Sequence, residues 1–78
     1  MHAITRRSNL VFHIDNRLGK ERRTEIETAL TEKQGVIDVR FNERYTHLLL
    51  VEYNPAVTSS FDIMDRVRRQ SVNVQRVA

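Results

Sequence analysis

The chain has 78 residues, the size of one small domain, and we treat residues 1–78 as a single unit. Hydrophobic residues make up 40% and charged residues 29%, as in an ordinary globular domain, and the absence of cysteine excludes disulfides, zinc–thiolate sites and cysteine nucleophiles. The net charge of +3 is small for a dedicated nucleic-acid-binding domain, which usually carries a dense basic stripe.

Hydrophobic periodicity predicts a strand and then a helix in the first half of the chain. Residues 1–8 are polar and are expected to be flexible. In "NLVFHID", every second residue over 10–14 is strongly apolar, which indicates a strand with one buried face. Apolar residues then recur at helical spacing over about residues 20–33, and Gly35 is expected to end this helix.

The second half repeats the alternation between strand and helix. "VIDVRFN" predicts a second strand whose Ile37, Val39 and Phe41 face the core, and "NERY" predicts a turn into a third strand, "THLLLVEY". Ser59, or the serine after it, is placed to cap a second helix over about residues 61–70. "VNVQRV" then predicts a short fourth strand.

The order strand–helix–strand–strand–helix–strand in so short a chain predicts an α+β fold. Short connections and right-handed crossovers favour the ferredoxin-like βαββαβ sandwich. In this arrangement both helices cover one face of a four-stranded antiparallel sheet with the strand order 4-1-3-2.

Several segments resemble a known family. "IETAL", "GVIDVRFN" and "LLVEYNP", followed by Ser59, Ile63 and Val67, are similar in sequence and spacing to the heavy-metal-associated domain of copper chaperones and metal-transporting P-type ATPases. The resemblance covers about residues 10–74. It implies the ferredoxin-like fold, and a binding surface at the loop after the first strand, where domains of this family dock through complementary charge.

The resemblance also implies a metal site that this chain cannot form in the usual way. In the family, this loop carries a Met-x-Cys-x-x-Cys motif, which falls on Arg17, Gly19 and Arg22. Neither cysteine position supplies a thiolate, the soft ligand that selects Cu(I). Arg17 and Arg22, with Lys20 and Arg23, would also repel a cation. The chain therefore resembles a cysteine-less branch of the family, and we expect no cofactor.

Two interpretations of the basic loop remain open. The cations can be a solvated helix start, since the dipole penalty of each is only about 0.3–1 kcal/mol. Alternatively, they form a site for an anion or an acidic partner. Topology places the helix end at Arg68 and Arg69 beside this loop. The residues predicted for the anion or acidic-partner site are Arg17, Lys20, Arg22, Arg23 and Arg44.

The open face of the sheet is a second candidate surface. Val11, Leu48 and Leu50 are predicted to point away from the helices and to contact one another, which suggests either homodimerisation or docking of a partner. The RNA-recognition module has the same topology but presents outward aromatic residues on its central strands. Here those positions are leucines, so RNA binding is kept only as an alternative.

His13 and His47 are weak candidates for metal ligands. Strand alternation predicts that they lie on opposite faces of the sheet, so they would not converge on one ion. A metal-binding domain with histidine and carboxylate ligands stays as an alternative function. No serine is predicted to lie near a histidine and an aspartate, and no phosphate-binding glycine loop is present, so we expect no catalytic activity.

The sequence therefore predicts a non-catalytic interaction or regulatory module linked to metal transport or homeostasis. Its expected partner is an acidic protein, for example a transporter domain. No apolar run is long enough to span a bilayer, and no apolar N-terminal run of signal-peptide length is present, so we expect a cytoplasmic protein without membrane insertion.

Overall fold

The computed structural model describes residues 6–78; the first five residues of the segment predicted to be flexible lie outside this range. The predicted order of strands and helices is confirmed. The elements are β1 (Ser8–Ile14), α1 (Lys20–Thr31), β2 (Val36–Phe41), β3 (Leu48–Tyr53), α2 (Ser60–Arg68) and β4 (Val74–Arg76).

The four strands form one antiparallel sheet in the order β2-β3-β1-β4, which is the predicted 4-1-3-2 arrangement. β1 and β3 are the central strands, and Val11 lies opposite Leu50 in their register. β2 and β4 are the edge strands. The ferredoxin-like fold predicted from the order of elements is therefore confirmed.

The core lies between the sheet and the two helices. Alternate residues of β1 are fully buried, from Leu10 to Ile14, as the apolar alternation predicts. α1 contributes Ile26 and Leu30 to this core, and α2 contributes Ile63 and Val67. Each helix therefore buries one apolar stripe and leaves its charged residues at the surface.

The prediction that Ile37 faces the core is wrong. A β-bulge interrupts the pairing of β2 with β3 between Val36 and Asp38, and Ile37 is left as the extra residue with 38% of its surface exposed. A bulge adds one residue to one strand and so reverses the alternation on one side of it. Val36 packs against the core instead, while Val39 is buried as predicted.

The two helices begin differently. Ser59 caps α2, because its side-chain oxygen accepts a hydrogen bond from the Asp62 N–H (3.2 Å). α1 follows Gly19, which offers no side-chain cap. α1 also ends at Thr31, earlier than predicted, and Gly35 serves the turn into β2 with a φ of 94°. Among residues 6–78, no helix is long and apolar enough to cross a membrane.

Candidate functional site

The loop after β1 and the turn before β3 lie at the same end of the sheet. The Ile14 N–H donates to the His47 carbonyl (2.8 Å), which ties the two connections together. An open groove of about 720 Å³ lies here, between the first half of α1 and the turn that joins β2 to β3. We call it the basic groove; its charged lining residues are Lys20, Arg23, Glu27, Arg40, Glu43 and Arg44.

Positive charge dominates the basic groove. Among residues 6–78, none of its four cations has a carboxylate within 4.0 Å. One of its two carboxylates is already engaged, because Glu27 accepts a hydrogen bond from the Phe41 N–H (2.8 Å). With four cations and two carboxylates in its lining, the groove is net positive, and none of these cations is ion-paired among residues 6–78.

The cations of the groove are held by different local structures. Arg23 is half-buried, and its guanidinium donates to the Leu18 carbonyl (2.7 Å), which fixes the side chain against the loop. Arg44 is exposed in the turn, with its guanidinium 5.6 Å from the centre of the Tyr45 ring. Lys20 is exposed at the first position of α1.

Arg22 points to a different part of the molecule. Its guanidinium donates to the backbone carbonyl of Gln70 and to the Gln70 side chain (3.4 Å), immediately after α2. Glu25 lies 3.8 Å away on the same helix. Since cations are favourable at the carbonyl end of a helix, Arg22 stabilises the junction between α1 and α2. It therefore lies outside the groove with which it was grouped.

The remaining predicted cations stand apart from the groove. Arg17 is exposed in the loop between β1 and α1 and does not line it. Arg69, at the end of α2, forms an ion pair with Asp65 (3.0 Å). The contact between Arg22 and Gln70 shows that the end of α2 lies beside the start of α1. This agrees with the expectation that Arg68 and Arg69 lie at this end of the fold.

Arg40 is the groove residue that the sequence prediction missed. It lies on β2 opposite Leu50 of β3, exposed on the open face, and reaches the groove beside Phe41. The signal was present in the sequence, because Arg40 alternates with core residues two positions before the turn. Arg40 lines the groove because α1 lies along the edge of β2, and hydrophobic periodicity does not predict how a helix lies against a strand.

The open face of the sheet carries three partly buried apolar residues on its central strands. Val11, Leu48 and Leu50 alternate with fully buried neighbours on β1 and β3, and each is half-buried. Val11 and Leu50 are direct cross-strand partners, and Leu48 lies opposite His13. The three side chains therefore form a continuous apolar strip of modest exposure.

The prediction that His13 and His47 lie on opposite faces is wrong. His47 precedes β3, in a turn where strand alternation does not apply, and its ring centre lies 5.4 Å from that of His13 with the planes 11° apart. The Nδ1 atom of His47 lies 2.7 Å from the Ile14 carbonyl oxygen. The Nδ1 atom of His13 lies 2.8 Å from Asp15 Oδ1. The two candidate ligands are neighbours.

Comparison with known structures supports the fold. No protein-family model matches the sequence, and no curated protein is significantly similar to it. The N-terminal domain of a potential copper-translocating P-type ATPase from Bacillus subtilis is 22% identical, with a TM-score of 0.81, over 91% of this chain and 88% of that chain. A putative copper-ion-binding protein from Bacillus anthracis is 19% identical, with a TM-score of 0.81, over 92% and 100%.

Oxidized MerP from Ralstonia metallidurans is 12% identical, with a TM-score of 0.81, over 94% of this chain and 100% of that chain. The similar structures are heavy-metal-associated domains, so the resemblance drawn from the sequence is confirmed at the level of the fold. At these identities the likeness establishes the shared architecture, and the chemistry of the loop must be read from this chain's own residues.

Those loop residues do not fit a soft metal ion. The sequence contains no cysteine, and a Cβ added at Gly19 would meet no atom within 4 Å, so the space that a side chain would use is open. At the second motif position, the guanidinium of Arg22 is bonded to Gln70. A Cu(I) ion, which prefers sulfur ligands, has no ligand in this loop.

Proposed function

We propose that this chain is a non-catalytic module with a heavy-metal-associated fold that binds an acidic protein surface through the basic groove. The observation that carries the proposal is the set of four cations without ion-pair partners among the described residues, gathered around one open groove. The chain shares its fold with domains of copper-translocating ATPases, which suggests a partner in metal transport or homeostasis.

The shape of the groove favours a protein surface over an enclosed small ligand. It is open to solvent, and its cations come from three separate parts of the chain: the start of α1, β2, and the following turn. Cations spread in this way attract an extended negative surface and accelerate its encounter. RNA is disfavoured because the central strand β3 presents Leu48 and Leu50 outward, where stacking aromatics would be needed.

Reversal of two exposed cations tests this function. Lys20→Glu combined with Arg44→Glu changes charges that face solvent, and leaves Arg23 and Arg22 in their bonds to backbone carbonyls. Poly-L-glutamate serves as a model acidic surface in an NMR titration. We expect the dissociation constant to rise at least about tenfold, which corresponds to about 1.4 kcal/mol for two surface charges, and the wild-type affinity to fall with added salt.

The matched control is Arg6→Glu combined with Arg76→Glu, which makes the same change in net charge at exposed residues that do not line the groove. It should alter the dissociation constant by less than about threefold, since neither residue lines the groove and salt screens longer-range interactions between exposed charges. Equal weakening by both pairs, or none by the groove pair, would refute the groove as the docking surface. Tighter binding of poly(U) than of poly-L-glutamate, lost in the groove pair, would assign the surface to RNA instead.

A further inference from the structure

A second, smaller depression lies on the open face of the sheet, beside the basic groove. It has a volume of about 100 Å³ and is lined by residues of β1, β2 and β3. We call it the sheet hollow. Arg40 and Leu50 line both the sheet hollow and the basic groove, so the two depressions adjoin at these side chains. A partner segment that lies in the groove can therefore extend into the sheet hollow.

The sheet hollow lies between two rows of side chains of different character. In one row, Val11 of β1 lies opposite Leu50 of β3, and both are apolar. In the other row, Glu52 of β3 lies opposite Asp38 of β2, and both are acidic. Rows that are two residues apart along the strands are separated by about 7 Å. The hollow therefore has one apolar wall and one acidic wall.

The two carboxylates of the acidic wall differ in their contacts. Glu52 accepts a hydrogen bond from the Arg7 guanidinium (3.0 Å), which balances part of its charge. Asp38 is exposed, and among residues 6–78 no cation lies within 4.0 Å of it, including Arg40 on the same strand. Asp38 is therefore the carboxylate of the hollow that is available to a cation from another molecule.

From these contacts, we propose that the sheet hollow binds a lysine side chain of the acidic partner, close in sequence to the acidic segment that lies in the basic groove. The four-carbon stem of lysine packs on Val11 and Leu50, and its ammonium group reaches Asp38. A compact ammonium group suits so small a hollow better than a planar guanidinium. Because the lysine belongs to the partner that the groove binds, its role rests on the docking function proposed above.

Other side chains match the walls of the hollow less well. An aliphatic side chain would contact the apolar wall but would shield Asp38 from water without giving it a partner, which costs free energy. An acidic side chain would be repelled by Asp38 and Glu52. The sheet hollow and the basic groove therefore prefer opposite charges, and this difference fixes the direction in which a segment of mixed charge binds.

Short synthetic peptides in an NMR titration test the lysine site. Arg40 and Asp38 are two positions apart on β2, and an extended chain advances about 3.3 Å per residue, so a spacer of two residues is suitable. The peptides are Glu-Glu-Glu-Glu-Gly-Gly-X and the reversed sequence, with blocked ends and lysine, leucine or glutamate at X. In one of the two directions, the lysine peptide should bind at least about threefold more tightly than the leucine or glutamate peptide. Attraction by net charge alone would rank the glutamate peptide first.

The Asp38→Asn variant tests which group holds the ammonium. Asparagine keeps the size of aspartate and removes its charge, so the preference for lysine over leucine should disappear, while the affinity for the leucine peptide changes by less than about twofold. Asp62→Asn is the matched control, because Asp62 is also exposed but lines neither depression. It should keep the full preference for lysine.

The groove pair Lys20→Glu and Arg44→Glu separates this proposal from the docking function. It should weaken the binding of all three peptides, since each carries the same run of glutamates. No binding, or binding that the groove pair leaves unchanged, would refute the docking function and the lysine site with it. Groove-dependent binding in which the leucine or glutamate peptide equals or exceeds the lysine peptide would overturn the lysine site alone, as would a lysine preference that survives in Asp38→Asn.

A measurement on the wild-type protein covers the case in which Asp38→Asn does not fold. In the complex with the lysine peptide, nuclear Overhauser effects should connect the methylene protons of the lysine to the methyl groups of Val11 and Leu50. Their absence at saturating peptide would overturn the assignment of the hollow.

Discussion

At the scale of single residues, Thr58 is a buried polar residue whose hydroxyl has no hydrogen-bond partner among residues 6–78. Its side chain is 7% exposed, and its hydroxyl oxygen makes no hydrogen bond to the described residues. Gly35 lies against it so closely that an added Cβ at Gly35 would be 2.9 Å from the Thr58 methyl group. A buried hydroxyl that has lost its hydrogen bonds to water, and gained none in return, reduces the stability of the fold.

Thr58→Val should therefore stabilise the protein. Valine keeps the shape of threonine and removes the unpaired hydroxyl, so we expect the free energy of unfolding to rise by about 1 kcal/mol. Urea denaturation followed by circular dichroism measures it. Thr31→Val is the matched control. The exposed Thr31 hydroxyl donates to the Glu27 carbonyl (2.6 Å), so its removal should not raise the free energy of unfolding. A fall in stability for Thr58→Val would show that the hydroxyl is satisfied in solution.

Strand alternation does not predict correctly where the rings of His13 and His47 lie. Strand alternation is reliable for Leu10, Phe12 and Ile14, because they lie inside β1. His47 lies one residue before β3, and a turn there brings its ring to the same surface as His13. A period of two cannot be extended past the end of a strand, and the boundary of a strand is set by tertiary hydrogen bonds that the sequence does not show.

At the scale of elements, the two helices differ in how they begin. Each helix has one acidic residue in its first turn, Glu21 in α1 and Asp62 in α2, but α2 has a serine cap whereas α1 follows the uncapped Gly19 and has Lys20 as its first residue. Acidic groups stabilise the start of a helix and cations do the opposite. The start of α1 is therefore less stable than it would be with a side-chain cap and without a cation at its first position.

Gly19→Asp should strengthen the start of α1. The backbone at this position has φ −72° and ψ 168°, which any residue can adopt, and an added Cβ would meet no atom within 4 Å. An aspartate there can accept a backbone N–H, so Gly19→Asp should exceed Gly19→Ala in stability by about 0.5–2 kcal/mol. Thermal unfolding of the two variants measures the difference. Equal melting temperatures would mean that the backbone N–H groups at the start of α1 gain no hydrogen bond from the aspartate.

Most elements could be predicted from the sequence, because apolar spacing separates strands from helices and few topologies fit their order. The exceptions have physical causes. Ile37 was assigned to the core because a bulge leaves no mark in an alternating sequence. Gly35 was expected to end α1, yet the helix ends at Thr31, and the glycine provides the positive φ of the turn that follows.

At the scale of the whole molecule, Arg22 connects the two helices. The cations at the start of α1 looked alike in sequence, but Arg22 reaches Gln70 whereas Arg23 reaches Leu18. Neighbouring residues on a helix point in directions about 100° apart, so each meets a different part of the fold. The sequence could therefore predict that Lys20, Arg23 and Arg44 lie near one another, but which cations line the groove depends on side-chain directions that the sequence does not show.

Arg22→Met should weaken the junction between α1 and α2. Methionine keeps much of the apolar stem but cannot donate to the Gln70 carbonyl. We expect a loss of about 1 kcal/mol in the free energy of unfolding, reduced from the full value for a charged donor because 36% of the side chain is exposed. Arg69→Met is the control and should cost about 0.3–0.5 kcal/mol, since it removes an exposed ion pair within one helix.

Hydrogen exchange at the amides of residues 69–71 should accelerate in Arg22→Met and not in Arg69→Met, if the contact holds the end of α2 in place. Equal losses of stability in the two variants would show that the contact of Arg22 with Gln70 contributes no more than an exposed ion pair.

The bond between Glu27 and the Phe41 N–H has a consequence for how copies of this chain behave at high concentration. β2 is an edge strand, and an uncovered edge invites the strand of another molecule to add to it. Here a carboxylate from α1 occupies the outward N–H at Phe41, and the bulge at Ile37 bends the strand at its other end. Both ends of the β2 edge are therefore unsuited to further pairing, which disfavours growth of the sheet by strand addition at this edge.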